Sequence, residues 1–199
     1  MRNNLQRTFQ YVVPANTQQN NEPYKNQLLF ILSWFHALIQ ERRTYIPQGW
    51  VKYYEFSYGD LKAGESILSD ILRESQGKEP QWQKVYGILE NAIYGGRVDN
   101  EYDMRVLRTY MQEIFRDETL KGKVSLSDIT TVPQSANTRD YVGVINKLPE
   151  SDNAEIFGLP ANIDRSVQRF NSNQVINKLK SLGAVSAQEL RFDKEKWTE

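Results

Sequence analysis

The sequence has no cysteine and a single histidine, His36, and this scarcity removes most metal and thiol chemistry. Structural zinc sites take their ligands mainly from cysteine and histidine, so a metal at His36 would need carboxylates for every other ligand. A catalytic histidine needs a nucleophile or a base beside it. We therefore interpret His36, which lies in an apolar helical stretch, as a packed and hydrogen-bonded side chain.

The chain also has no excess charge and no long apolar run. Its 199 residues contain 25 Lys+Arg and 25 Asp+Glu, so the formal net charge is +0. General nucleic-acid binders and anionic-membrane binders carry a basic excess. No apolar run reaches roughly 18 residues, the length at which a membrane-spanning helix becomes a candidate. We expect no nucleic acid and no membrane as partners, and the 39% hydrophobic content is compatible with a packed core.

The most strongly patterned stretch is residues 26–43. Its apolar side chains recur at helical spacing and form a wide face, which predicts a helix that packs on more than one neighbour. Glu41, Arg42 and Arg43 close its last turn, where cations suit the negative end of the helix dipole. The two arginines either face a neighbouring subdomain or are solvated.

A stop follows this helix. Pro47 cannot continue a helix, and Gly49 reinforces the break. Trp50 comes directly afterwards and has to be buried somewhere. We expect Trp50, Tyr53 and Tyr54 to pack the turn beneath the helix.

Helical spacing predicts five further helices, a mainly α fold, and an amphipathic helical bundle with long loops and at most a short strand or hairpin. The first of them covers about 58–74 and is opened by a Ser57/Asp60 capping box, and the second covers about 80–93 with Pro80 in its first turn. The third covers about 99–117 and is capped by Asp99 or Asn100, and the fourth covers about 138–148. The last is capped by Asn171 or Ser172 and ended by Gly183. The segment 14–23 is predicted as a loop or linker, and 124–129 as a short strand. The tail mixes charges with Phe192 and Trp197, and Trp197 suggests that the native chain continues and buries it.

Residues 59–66 have the spacing of a phosphate-binding loop, GxxxxGK[ST]. Position 65 is glutamate where the motif has lysine, and a carboxylate there repels phosphate. No buried strand precedes the stretch either. We therefore do not interpret it as a nucleotide site.

Gly95-Gly96 is interpreted as a tight turn between helices, with a glycine in the left-handed conformation just past the helix end. Arg97 and Asp103 either form an ion pair that stiffens this turn or are solvated. The carboxylates of the following helix mostly lie off its apolar stripe and are interpreted as a solvated face; they are Glu101, Asp103, Glu113, Asp117 and Glu118.

Several stretches, in matching order and spacing over nearly the whole chain, resemble motifs of the dynein heavy chain family. They are Trp34–Trp50 (FHA…QERR…GW), Tyr53–Leu61 (YEF…DL), Tyr94–Val98 (YGGRV) with Asp103 after it, Leu148–Pro149 with Phe157–Leu159 (LP…FGL), and Arg2–Thr8. Departures from most dyneins resemble the branch of the family that drives retrograde intraflagellar transport. These departures lie at 46–50 and 157–163. Residues 89–97 and 172–182 also resemble that branch.

The resemblance implies that the chain is the small helical lid of the sixth AAA+ module. Residues 1–23 would leave the large subdomain as a linker, 24–165 would form the lid, and 166–199 would start the C-terminal region. No cofactor is expected in this fragment, since ATP and Mg²⁺ would be bound by other modules of the parent motor ATPase. The expected structural and interface residues are His36, Glu41, Arg42, Arg43, Trp50, Gly95, Gly96, Arg97, Asp103, Phe157 and Gly158.

The resemblance also implies partners and a location. The partners would be neighbouring AAA+ modules and the C-terminal region of the same heavy chain, while the parent binds microtubules and dynein intermediate and light chains. The location would be the cytoplasm, the cytoskeleton and the cilium or flagellum. Two alternatives stay open: a freestanding helical protein-interaction module, and an independent enzyme, for which the sequence offers no nucleophile with a base and no paired carboxylates in a cleft.

Overall fold

The computed structural model describes residues 1–13, 24–76, 78–128 and 130–189, with side chains through 183. The chain divides into two compact units between Leu159 and Pro160. The helices are α1 Arg2–Val12, α2 Lys25–Glu41, α3 Tyr58–Glu74, α4 Trp82–Ile88, α5 Glu101–Ile114, α6 Asp117–Leu120, α7 Thr138–Asn146 and α8 Asn162–Glu189. Short 3-10 turns cover Arg42–Tyr45, Gly95–Arg97 and Ala154–Phe157, and a π turn covers Leu89–Ile93. The predicted mainly α fold is confirmed.

Helix α2 is the centre of the first unit. Its side chains are buried without a break from Leu28 to Ile39. It packs against α1, α3, α5 and α6, which explains why a helix can be apolar around its whole circumference. Burying each large apolar side chain contributes about 1.5–3 kcal/mol, so α2 dominates the packing energy of this unit. The prediction of more than one packing neighbour is confirmed.

Helix α1 belongs to the same compact unit as α2–α7. It packs against α2, α3 and α7. The Phe9 ring lies 5.7 Å from the Phe30 ring and 5.5 Å from the Tyr141 ring, centroid to centroid. The predicted linker 14–23 lies outside the described residues.

Helix α3 begins at the predicted capping box. The Ser57 hydroxyl accepts from the Asp60 amide, and the Asp60 carboxylate accepts from the Ser57 amide at 2.8 Å. The stretch 59–66 therefore lies within a helix, where amides beyond the first turn are used internally and cannot cradle a phosphate.

Helix α4 starts two residues later than predicted. Pro80 precedes the N-cap, Gln81, and the first helical residue is Trp82. The indole Nε1 of Trp82 donates to the Asp117 carboxylate at 2.6 Å, which fixes the start of this helix against α6. The predicted strand at 124–129 is wrong for the described residues, where pairing is limited to one bridge between Ser127 and Thr130.

The second unit contains α8, which starts earlier and runs further than predicted. It is helical through Asn171 and Ser172 and does not end at Gly183. Glycine within a helix costs only about 1 kcal/mol, and short polar residues are neutral enough for the helix to continue. The predicted burial of Trp197 concerns a residue outside the described range. Among the described helices, none is both long and apolar enough to cross a membrane.

Candidate functional site

Arg42, at the C-terminal end of α2, is buried and lies at the centre of what we call the arginine cluster: Arg42, Gly49, Trp50, Tyr110 and Phe157. Its Nε donates to the Gly49 carbonyl oxygen at 2.6 Å, and its Nη1 donates to the Tyr110 hydroxyl and the Phe157 carbonyl oxygen. The Tyr110 hydroxyl also donates to the Phe157 carbonyl oxygen at 2.5 Å. The guanidinium lies 5.6 Å from the Trp50 ring and 5.2 Å from the Tyr110 ring. One side chain thus joins α2, α5 and two turns.

The partners of the Arg42 guanidinium in this cluster are neutral. Carbonyl oxygens, a hydroxyl and two aromatic faces surround the charge, and the negative end of the α2 dipole lies beside it. Burial raises the pKa of Tyr110 to about 12, although Arg42 acts in the opposite direction, so the hydroxyl keeps its proton at neutral pH. The expectation that Arg42 faces solvent or a neighbouring subdomain is wrong, because its side chain is only 6% exposed and is satisfied internally.

Two glycines let the chain bring these carbonyl groups to Arg42. The Gly49 amide donates to the Tyr45 carbonyl oxygen at 2.6 Å, and a Cβ at Gly49 would lie 2.3 Å from the Arg42 carbonyl oxygen. Gly158 follows the 3-10 turn at φ 62°, in the left-handed region that favours glycine. Both turns therefore require glycine, for close approach in one case and for conformation in the other.

Asp103 is buried at the start of α5 and forms the aspartate cluster with Val51 and Tyr54. Both of its carboxylate oxygens lie 3.1 Å from the Val51 amide nitrogen, and the Tyr54 hydroxyl donates to it at 2.8 Å. Burial and then Asp103 raise the pKa of Tyr54, which keeps that hydroxyl a donor. Asp103 is therefore a packed residue, and its assignment to a solvated face is wrong.

Trp50 is buried beneath α2, as predicted. Its indole Nε1 donates to the Ile39 carbonyl oxygen at 2.9 Å, and Tyr54 packs edge-on at 5.9 Å. Tyr53 differs from the prediction, because its side chain is 67% exposed. The chain alternates through this stretch, so Tyr54 is turned inward and Tyr53 outward.

The predicted ion pair between Arg97 and Asp103 is wrong. Arg97 pairs with Asp60 instead, at 2.9 Å, because the 3-10 turn aims it at the start of α3. Burial alone would raise the pKa of Asp60, but hydrogen bonds from Ser57 and Arg97 hold it below its ordinary value. The turn is therefore stiffened by an ion pair, with a different carboxylate as the acceptor.

The Gly95-Gly96 pair forms the predicted tight turn, but neither glycine has the expected left-handed conformation. Both lie in the 3-10 turn Gly95–Arg97, and neither has a positive φ. Gly95 is required for another reason: a Cβ there would lie 1.7 Å from the Glu90 carbonyl oxygen. The π turn before it widens the helix and brings this carbonyl group against Gly95.

His36 is fully buried and hydrogen-bonded, as predicted. Its Nδ1 lies 3.0 Å from the Tyr94 hydroxyl, while its Nε2 has no hydrogen-bond partner. Burial lowers the pKa of His36 to about 4, because the charged imidazolium is poorly solvated there; Asp60 acts in the opposite direction. His36 is therefore neutral in the folded chain at neutral pH.

This shift predicts a stability loss in mild acid. The unfolded chain protonates His36 near its ordinary pKa of 6.5 and the folded chain only near 4, so stability falls as the pH drops from 6.5 towards 4. The expected loss is about 2–3 kcal/mol, measured as the free energy of unfolding by urea at several pH values. The variant His36→Asn, whose amide replaces Nδ1, should lose much less stability across this window, since only carboxylates such as Asp60 then begin to titrate near its lower end. A parallel fall in both proteins would contradict the prediction.

The remaining predicted residues lie near the surface at the end of α2. The Glu41 carboxylate accepts from the Asn4 amide group at 2.8 Å, which ties α2 to α1. Arg43 donates to the Gln40 carbonyl oxygen and to the Tyr53 hydroxyl. In the described part of the chain, no three metal-binding side chains come together.

The structure therefore groups the predicted residues into separate clusters. Arg42, Trp50 and Phe157 meet in the arginine cluster, with Gly158 next in sequence. Sequence reasoning did not find four of the hydrogen-bond or ion-pair partners. They are Tyr54 for Asp103, Asp60 for Arg97, Tyr94 for His36 and Tyr110 for Arg42. The signal was available in part: buried tyrosines need a partner for the hydroxyl, so a tyrosine on an apolar stripe points to a polar contact.

These features define a helical packing module whose buried polar groups join helices to turns. The family model described as "Dynein heavy chain AAA lid domain" matches residues 25–163. The chain belongs to the dynein heavy chain family, and these residues form its AAA lid domain.

Curated relatives agree with this assignment. The chain is 44% identical to "Cytoplasmic dynein 2 heavy chain 1" of Homo sapiens over 204 residues, and 46% identical to the protein of that name in Tripneustes gratilla over 202 residues. It is 34% identical over 188 residues to "Dynein heavy chain, cytoplasmic" of Dictyostelium discoideum. These alignments cover 100%, 99% and 90% of this chain, but only 5%, 5% and 4% of the relatives.

Proposed function

We propose that this chain is a non-catalytic structural lid, that of the sixth AAA+ module in a dynein ring, and that it transmits rigid-body motion between modules. The observation that carries the proposal is the arginine cluster. A buried cation there joins α2, α5 and the turn at Phe157, which makes the first unit one stiff body. No cofactor is assigned to this fragment; ATP and Mg²⁺ would be bound elsewhere in the parent chain.

The names of the relatives support a proposal about the pathway. Because the identity is higher to heavy chains named cytoplasmic dynein 2 than to the Dictyostelium protein, we assign the parent to retrograde intraflagellar transport. The parent would work in the cytoplasm, on the cytoskeleton and in the cilium. It would bind microtubules and dynein intermediate and light chains, while this fragment contacts neighbouring AAA+ modules.

Helix α8 supports a role inside a larger assembly. Its large apolar side chains are exposed, and they are Phe170, Val175, Ile176, Leu179 and Leu182. Most of the stability of a helix in a protein comes from packing of its apolar face against other elements. We propose that the rest of the C-terminal region of the same heavy chain covers this stripe.

Hydrogen exchange tests the lid against a freestanding interaction module. We expect the amides of α8 to exchange at least about 10-fold faster in the 199-residue chain than in the intact heavy chain, because its described apolar side chains are exposed in the former. The amides of α2 are the internal control and should be equally protected in both. Equal protection of α8 in both proteins would favour the freestanding module.

Two further measurements test the non-catalytic role. Calorimetric titration of the 199-residue chain with Mg-ATP should show no binding, and micromolar affinity would overturn the proposal. In the intact heavy chain, Arg42→Lys should slow microtubule gliding and leave nucleotide affinity unchanged. The surface variant Arg73→Lys is the control and should glide normally, because the Arg73 side chain is 71% exposed and pairs with Asp70 within its own helix.

A further inference from the structure

We propose that a cleft in the first unit is a binding site for an arginine side chain of a separate protein. Two chain segments line this cleft, which we call the acidic cleft. One segment is 126–128, and the other contributes Pro149, Asn153, Glu155 and Ile156. The acidic cleft shares no residue with the arginine cluster or the aspartate cluster. The inference goes beyond the lid function and does not depend on it.

The volume of the acidic cleft fits one side chain. It encloses about 150 Å³, whereas sites for drug-sized ligands typically enclose about 300–1,000 Å³. A nucleotide or an organic cofactor is therefore too large to fill it. A metal ion is also a poor fit, because no three metal-binding side chains come together among the residues that the structure describes.

The lining of the acidic cleft combines apolar and acidic groups. Leu126, Pro149 and Ile156 provide apolar surface, and Asp128 and Glu155 each add a carboxylate. An arginine side chain has two matching parts, because its methylene stem packs on apolar surface while its guanidinium keeps polar partners. An acidic side chain would be repelled by the carboxylates, and an apolar one would leave them without a partner.

The two carboxylates of the acidic cleft have no cation of their own. Asp128 and Glu155 are exposed, and neither forms an ion pair with a described residue. The nearby Glu150 differs, since its carboxylate pairs with Arg2 at 2.8 Å. The acidic cleft therefore presents two negative charges to a cationic ligand.

The Ser127 hydroxyl is a further unused group in the lining. Its oxygen is buried and has no hydrogen-bond partner within the described ranges, although buried polar groups normally have one. A hydroxyl oxygen can accept from a guanidinium N–H group. Arginine spreads its N–H donors over a planar fork, whereas lysine concentrates them on one atom. Arginine is therefore better suited to reach a hydroxyl and the carboxylates together.

Hydrogen bonds hold both segments of the acidic cleft in place. The Leu126 amide donates to the Thr130 carbonyl oxygen at 2.7 Å, and the Thr130 amide donates to the Ser127 carbonyl oxygen at 3.1 Å. In the other segment, the Asn153 side chain accepts from the Ile156 amide at 3.2 Å and so caps the last 3-10 turn. A preformed site of this kind loses little conformational entropy when a ligand binds.

The polarity of the acidic cleft favours a separate protein as the source of the arginine. Permanent interfaces are more apolar, and charged residues are depleted at their centres. The exposed stripe on α8 has that apolar character. The acidic cleft does not, since Asp128, Asn153 and Glu155 are all exposed, as is typical of reversible interfaces. An arginine from the rest of the heavy chain is the competing occupant, and the experiment separates the two.

Titration of the 199-residue chain with N-acetyl-arginine methylamide, followed by amide NMR, tests the site. A single side chain binds weakly, so we expect saturable shifts at 126–128 and 155–156 with a Kd on the order of 10 mM. N-acetyl-citrulline methylamide is the matched control ligand, because it has nearly the same shape without the charge. Equal shifts with both compounds, or no saturable shift with the arginine compound, would overturn the proposal.

Isosteric variants test the two carboxylates in the same titration. Asp128→Asn and Glu155→Gln should each weaken binding of the arginine compound about 3-fold, since each removes one exposed ion pair. Glu150→Gln is the matched control, because this exposed carboxylate follows Pro149 directly but pairs with Arg2. It should leave the Kd unchanged. The same loss in all three variants would indicate a general charge effect and contradict the site.

Carboxylate labelling with carbodiimide and glycine ethyl ester identifies the source of the arginine. We expect Asp128 and Glu155 to be labelled at similar rates in the intact heavy chain and in the 199-residue chain, because the acidic cleft stays open until a separate protein binds. Protection of both by at least about 5-fold in the heavy chain, with Glu150 unchanged, would show that the heavy chain fills the cleft itself. That result would overturn the assignment to a separate protein.

Discussion

Replacing Arg42 with alanine is expected to lower the free energy of unfolding of the 199-residue chain by about 4 kcal/mol. The guanidinium donates to the Gly49 and Phe157 carbonyl oxygens and to the Tyr110 hydroxyl. Each buried acceptor left without a donor costs about 1–3 kcal/mol, although Tyr110 still donates to Phe157. Lost packing against Trp50 adds to the cost. Urea denaturation followed by circular dichroism measures the difference.

Arg43 provides the matched control, because it is the next residue with the same side chain. Its side chain lies at the surface and bonds to Tyr53, so Arg43→Ala should cost less than about 1 kcal/mol. Arg42→Lys should fall between the two, since an ammonium group retains the charge but lacks the planar fork. Equal effects of the two alanine substitutions would contradict the arginine cluster as a structural centre.

Gly95→Ala is the second substitution with a large expected effect, a destabilisation of about 3 kcal/mol, at the upper end for an inserted group. The added Cβ would lie 1.7 Å from the Glu90 carbonyl oxygen, which is a backbone atom and cannot rotate away. The π turn Leu89–Ile93 or the 3-10 turn Gly95–Arg97 would have to shift. Tyr94, which contacts His36, lies between them and would move as well. Thermal unfolding and urea denaturation both report the loss.

Gly96→Ala is the control within the same turn. The nearest atom to a Cβ there is the Asn91 carbonyl oxygen at 3.9 Å, an ordinary contact distance. The expected change is within about 0.5 kcal/mol. A comparable loss in both variants would show that the turn depends on glycine flexibility, and the close approach at Gly95 would not be the reason.

Both substitutions bear on how a lid would transmit motion. The arginine cluster holds the carbonyl group of Phe157, and Gly158 and Leu159 then complete the first unit. The Gly95 turn holds Arg97 against Asp60 at the start of α3. Weakening either one should soften the first unit as a whole, because α2 packs against both α3 and α5.

The sequence predicted some elements closely because their determinants are local. The Ser57 capping box and the Asn100 cap act within one helical turn, and the structure shows both. The start of α8 was mispredicted because that prediction also relied on a local signal alone. The polar run at 171–174 contains good capping residues, but capping potential does not interrupt a helix that is already formed.

By itself, the sequence determined that this is a mainly α chain with a central apolar helix, and its motifs identified the family. Periodicity, caps and motif spacing lie along the chain and can be read there. The tertiary structure alone decided which polar groups meet: Arg42 turned inward, Asp103 took Val51 and Tyr54, and Arg97 took Asp60. The physical reason is that a buried charge pairs with whichever donor or acceptor the packing of distant helices brings within reach. Sequence spacing carries no information about that distance.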